Sequence, residues 1–224
     1  MVTQVDRLRS MSTSTSATVG NRFERRRAAT RKALVRAARQ ILAETGDTGV
    51  SIQAIADRAD VGFGSFYNHF ESKTELFDAA VSDALEEFGQ VIDEQLRGTD
   101  DPAELVAAGF RLTARMADSH PELMQILRHR GLVHIHSDKG AAPRARRDVE
   151  RGIAIGRFTS IDPIIALSAL GGTLLSLVEL RIARPDLDGE EAAASLAEMA
   201  LRMLGLPQGE AREIARRPLP GGGD

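Results

Sequence analysis

Apolar residues recur in this chain every three to four positions from one end to the other, and almost nowhere do they alternate with polar ones. Leu34, Ala37, Ala38, Ile41 and Leu42 stand at i, i+3, i+4, i+7 and i+8, which gathers them on one face of an α-helix. Phe77, Ala80, Val81, Ala84, Leu85, Phe88 and Ile92 form a second such face. No Asn-Gly or Asp-Gly pair lies between alternating runs, so the pattern offers nothing from which to build hairpins or a sheet. The expected fold is all-α, with about nine helices.

Capping signals place the helix ends. The segment 45–49, with two glycines, closes the first helix, and Ser51 is a plausible N-cap for a short helix over 52–59. Asp60, Val61 and Gly62 make a turn before another short helical stretch. Ser72 and Glu75 form a capping box in front of a long amphipathic helix over 73–96. Asp101-Pro102 repeats the start logic with proline at the first helical position, and further helices are expected to begin near Pro121, Pro143, Pro163 and Gly189.

Bulk charge misleads here. The 224 residues sum to −3, yet residues 1–42 carry ten Arg or Lys against Asp6 and Glu24, a net +8 that leaves −11 for the rest. Such asymmetry fits either a polyanionic partner at one end or a solvated basic tail. The first twenty residues lack periodic apolar positions and are expected to be a disordered tail. They also lack the apolar core of a secretory signal. The longest uncharged apolar run, 163–178, lies between Asp162 and Glu179, contains Gly171 and Gly172, and reads as a buried helix. A cytoplasmic protein without a membrane partner is expected. The absence of cysteine excludes disulfides, thiolate metal sites and a cysteine nucleophile.

The segment 50–77, VSIQAIADRADVGFGSFYNHFESKTELF, carries the functional information. Two short helices joined by a turn of about three residues have helix-turn-helix spacing, and a helix is narrow enough to enter a DNA major groove. Phe66, Phe70, Ile52, Ile55, Leu34 and Ile41 suit a small core. Packing does not account for the polar and amphipathic company of Ser51, Gln53, Phe63, Ser65, Tyr67, Asn68, His69 and Lys73.

Over about 30–81 the chain resembles the TetR family of transcriptional regulators. The elements that carry the likeness are Ile55-Ala56, Val61, Gly64, Tyr67, His69-Phe70 and Ser72-Lys73; Asp60 stands where the family usually has glycine. The resemblance implies that Tyr67, His69 and Lys73 hold phosphate oxygens, with Ser51 adding a hydroxyl. A packed His69 ring and a solvated Lys73 are the alternative. Gln53 and Asn68 can each pair with adenine, Ser65 can donate or accept, and Phe63 can meet a thymine methyl. No Arg or Lys lies within 63–70, so an operator whose directly read positions are richer in A·T pairs than in guanines is expected. Gly62 and Gly64 would let the helix backbone approach the DNA closely, or simply serve the turn. Arg22, Arg25, Arg26, Arg27 and Arg31 either reach phosphates or the minor groove, or add only diffuse attraction.

The resemblance further implies a homodimer on double-stranded DNA and a variable helical domain that takes a small-molecule effector. The expected division is a tail over 1–21, a DNA-binding domain over 22–76, an effector-binding and dimerisation domain over 77–206, and a C-terminal tail over 207–224. The helices at 158–180 and 190–204, with Ala169, Gly171, Gly172, Ala193, Ala197 and Ala200, are the expected dimer surface, with packing inside one chain as the alternative. Most aromatics lie in or beside the DNA-binding part, which mildly favours an aliphatic or acyl-type ligand. Met116, His120, Met124 and Leu127 are candidates for its lining. His129, His134 and His136 match no zinc spacing, so no metal, cofactor or catalytic residue is expected. A constitutive DNA binder without effector and, more remotely, a helical enzyme using those histidines are the competing functions.

Overall fold

The computed structural model describes residues 5–219, with side chains from Arg22 onward. Among the described residues there are ten α-helices, one 3₁₀ turn and no strand, one helix more than expected: α1 (Val5–Thr45), α2 (Ile52–Arg58), α3 (Phe63–Tyr67), α4 (Lys73–Gln95), α5 (Pro102–Ser119), α6 (Pro121–Arg130), the 3₁₀ turn Leu132–His134, α7 (Ala141–Ala154), α8 (Pro163–Ala183), α9 (Gly189–Met203) and α10 (Gln208–Ala215).

The termini differ from the sequence reading. The backbone is helical from Val5, inside the stretch expected as a tail over 1–21; residues 1–4 and the side chains up to residue 21 lie outside the described residues. The expected C-terminal tail over 207–224 carries α10, whose Ala211, Ile214 and Ala215 are buried, as is Leu219 beyond it. Those three apolar positions at i, i+3 and i+4 make one inward face, enough for a two-turn helix held by packing. Residues 220–224 lie outside the described set.

Local chemistry explains the starts. Ser51 Oγ accepts the amide of Ala54 at 3.1 Å, and Asp101 and Asp162 accept those of Ala103 at 2.9 Å and Ile164 at 2.8 Å, each Asp followed by proline. In the capping box, Ser72 Oγ accepts from Glu75 N at 3.2 Å, while the Glu75 carboxylate reaches one residue further back, to Glu71 N at 2.6 Å. Gly46 ends α1 at φ +67, with the His129 ring so close that an added Cβ would stand 2.7 Å from Nδ1. Only glycine serves there.

The chain divides into two units. The smaller comprises residues up to Ala38 and Thr48–Phe77; Leu34, Ile55, Ala56, Phe66, Phe70 and Leu76 are buried in it, with Ile52 half-buried. The larger comprises Arg39–Asp47 and the chain from Asp78 onward; buried Ile41 is counted with it. There α5 is the central helix, packed by α7, α8, α9 and α10 around Phe110, Val149, Leu170, Leu177, Leu201 and Ile214. Small residues set the spacing. Ala193, Ala197 and Ala200, expected at a dimer surface, face this core and are fully buried within the chain. Arg39 braces the same unit, its guanidinium reaching Asp83 at 2.8 Å, Glu87 at 2.6 Å and Glu122 at 3.0 Å.

Candidate nucleic-acid interface and ligand cavity

α2 and α3 are joined by the turn Ala59–Gly62 and packed on Phe66, which is completely buried. Asp60 takes the left-handed conformation in that turn at φ +53, the geometry that glycine adopts freely. Phe63, Gly64, Tyr67 and Asn68, at i, i+1, i+4 and i+5, share the exposed side of α3. Phe63 and Tyr67 remain 48% and 56% exposed, stacked edge to face at 5.9 Å, and Tyr67 leans in turn on Phe66 at 5.3 Å. Two large rings in mutual contact are thus presented to solvent. Around Gly64 the space a Cβ would occupy is open, while Ser65 is half-buried.

The other candidates vary in freedom. Ser51 uses its oxygen as the α2 cap, which leaves the hydroxyl proton available to donate. Gln53 is exposed and donates from Nε2 to Asp57 Oδ1 at 2.6 Å. Lys73 is half-buried, with Nζ 2.8 Å from the Val50 carbonyl and 3.4 Å from that of Gly49. Its ammonium therefore ties the start of α4 to the entry of α2, with one N–H still to offer. His69 is half-buried, and burial together with the charges of Arg27 and Arg31 lowers its pKa from the ordinary histidine value. Arg31, grouped in the sequence with the basic arm, lies over the Phe70 ring at 5.0 Å, while Arg22, Arg26 and Arg27 are exposed along α1.

The larger unit contains a cavity of about 630 Å³ walled by α4, α5, the end of α6, the 3₁₀ turn, α7 and α8. Phe88, Ile92, Phe110, Leu170 and Leu174 give it a predominantly apolar lining. Two of the three downstream phenylalanines line it; the third, Phe158, packs against Gly152. At its edge Arg144 bonds Asp93 at 2.7 Å and Glu86 at 2.6 Å, and holds the Glu86 carboxyl below its usual range. Of the four expected lining residues, only Leu127 is there. Met116 and Met124 are buried in the packing, and His120 joins α5 to α6 with its Nδ1 2.8 Å from Ser119 Oγ. Their helical register placed them inward, but a cavity built from six elements is not written in one register.

The three clustered histidines have separate surroundings: His129 against Gly46, His134 on the Arg130 carbonyl at 2.8 Å, His136 on Ser168 Oγ at 2.9 Å. Among the described residues no group of three metal-ligating side chains converges.

Residues 34–80 match the family model of bacterial regulatory proteins of the tetR family, and residues 101–217 match the tetracyclin repressor-like C-terminal domain. The chain belongs to the TetR family of transcription regulators. Among solved structures, RolR (NCGL1110) in complex with resorcinol is 34% identical, covering 88% of this chain and 97% of that one with a TM-score of 0.60. RolR without ligand is 34% identical over 84% and 98%, with a TM-score of 0.57. A TetR family transcription regulator from Marinobacter aquaeolei VT8, 17% identical over 80% and 97%, shares the fold with a TM-score of 0.64. No curated protein matches the chain. In this TetR-family protein α2 and α3 are the helix-turn-helix, and residues 101–217, within the larger unit, are the ligand-binding C-terminal domain. Regulators of this family bind DNA and small molecules and are typically dimeric.

Proposed function

We propose that the protein is a cytoplasmic, ligand-responsive repressor that binds a palindromic operator as a homodimer and leaves it when a small molecule occupies the cavity. The observation that carries this reading is the coexistence of an exposed aromatic and polar face on α3 with a mainly apolar cavity of about 630 Å³ in the second unit. On the operator, Ser51, Tyr67, His69 and the remaining Lys73 N–H position the phosphates, while Gln53, Phe63, Ser65 and Asn68 meet base edges and Gly64 admits close approach. The lack of Arg and Lys on α3 supports directly read positions rich in A·T pairs.

Exposed apolar residues support the dimer. Ile164 and Ile165 on α8 and Met199 and Met203 on α9 are 60%, 61%, 61% and 43% exposed. Ile165, Ser168, Gly172 and Ser176 run along one face of α8, and two copies of α8 and α9 would close that face as a four-helix interface. Two α3 helices then meet successive major grooves about 34–36 Å apart, or a multiple of that spacing.

For the effector, the cavity suits a small, largely apolar molecule with few polar substituents. Composition favoured an aliphatic or acyl-type ligand; the Phe88 and Phe110 rings in the lining, and the resorcinol bound by RolR, extend the choice to ring compounds. A mobility-shift assay on the DNA upstream of its own gene tests the reading, with resorcinol and medium-chain acyl compounds as competitors. Retardation that one of these relieves is the expected result; retardation that no small molecule relieves would favour a constitutive binder.

A further inference from the structure

Most polar groups that reach the cavity are already committed. Arg144 is held by Asp93 and Glu86 and donates to the Gly140 carbonyl at 2.5 Å; Asp148 pairs with Arg147 at 3.3 Å; Arg151 donates to the Asp100 carbonyl at 2.8 Å. His134 differs. Its Nδ1 lies 2.8 Å from the Arg130 carbonyl, which can only accept, so Nδ1 carries the proton. In that tautomer the Nε2 lone pair is the ring's acceptor, and among the described residues no hydrogen bond reaches it.

The ring is also firmly placed. A Cβ on Gly131 would collide with Leu175 and the Leu127 carbonyl, so the 3₁₀ turn sits tight against α8 because that residue is glycine. Gly131 N donates to Leu127 O at 2.7 Å, and His134 N to Gly131 O at 3.0 Å. Leu127, Ile135, Leu174 and Leu175 line the same cavity. An acceptor fixed in such surroundings penalises a ligand that covers it without offering a proton, and rewards one that donates.

We propose that His134 is the residue by which the cavity recognises a hydroxyl group of its effector, with the Arg130 carbonyl holding the ring in the accepting tautomer. This rests on the reading of the cavity as the effector site. It also links the ligand to α1, because the Arg130 guanidinium donates to the carbonyl of Gly46, at the end of that helix, at 3.3 Å.

Calorimetric titration of the full-length chain with resorcinol and with 1,3-dimethoxybenzene, the same ring without O–H donors, tests the assignment. The wild type binds resorcinol about tenfold more tightly than the ether. His134→Leu removes that preference while leaving the ether's affinity within about twofold, and His134→Gln, which retains an acceptor, recovers part of it. An unchanged preference in His134→Leu overturns the assignment, as does a wild type that binds both probes equally or neither. Leu174→Trp, which fills the cavity, separates the two levels. Resorcinol binding that survives Leu174→Trp lies elsewhere and removes the cavity reading; binding lost there yet indifferent to His134→Leu removes only the role of His134.

Discussion

The imidazole of His69 is held toward its neutral form by partial burial and by the nearby charges of Arg27 and Arg31. In the free protein this lowers stability under acid, because the unfolded chain then binds the proton more readily; the loss begins as pH falls through about 6.5. A DNA phosphate acts in the opposite direction, since it favours the imidazolium. Operator binding should therefore take up a proton, and affinity should rise as pH falls, by at most about tenfold per unit, levelling off below the lowered pKa of His69 in the free protein. Fluorescence anisotropy at several pH values checks this, with His69→Gln expected to lose the dependence; an equal slope in that variant would remove His69 from the interface. At this scale the sequence was informative about identity and silent about partners. Lys73 was visible as a residue type, but its carbonyls at Gly49 and Val50 lie more than twenty positions away and only folding brings them to it. Asp57 beside Gln53 is closer at hand, four residues on the same helix, and the spacing was there to be read.

Helix starts were the most legible elements because each is set by neighbouring residues. Ser51, Asp101 and Asp162 cap where their spacing predicts, and the Ser72 box holds with one displaced contact. Asp101 does more than cap α5. Arg157 bonds both its oxygens, at 2.9 and 2.8 Å, and chiefly through these bonds its carboxyl pKa lies below the usual range. A carboxylate so depressed contributes stability above its unfolded pKa near 4, and that contribution is lost as pH falls further. Asp101→Asn, which keeps an oxygen for the cap, should cost about 1 kcal/mol at neutral pH and flatten the acid limb of the stability curve. Urea denaturation between pH 3 and 7 measures both; a parallel acid limb would assign the sensitivity to other carboxylates. α10 escaped the sequence reading because Gly205 and Pro207 precede it and glycines follow it, so only its three inward residues signal a helix that tertiary packing completes.

At the scale of the molecule, the cavity and the dimer depend on which faces the chain leaves uncovered, and that is a tertiary property. The alanines of α9 read equally well as an interface or a core, and packing against α5 made them core. Ile164, Ile165, Met199 and Met203 were left outside. A charge placed there should prevent self-association without disturbing the fold: Ile165→Lys is expected to sediment as a monomer at micromolar concentration, with an unchanged helical circular dichroism spectrum and at least tenfold weaker operator binding, since one half-site is lost on the order of several kcal/mol. A dimer that persists in that variant would place the interface elsewhere.

In the proposed function, occupancy of the cavity governs DNA binding. Anisotropy of a fluorescent operator fragment at constant salt, titrated with an effector identified in the mobility-shift assay, tests it most directly when wild type and Leu174→Trp are compared. The wild type should be released in proportion to effector occupancy, while Leu174→Trp, with its cavity filled, should no longer respond. Identical release curves for the two proteins would contradict it.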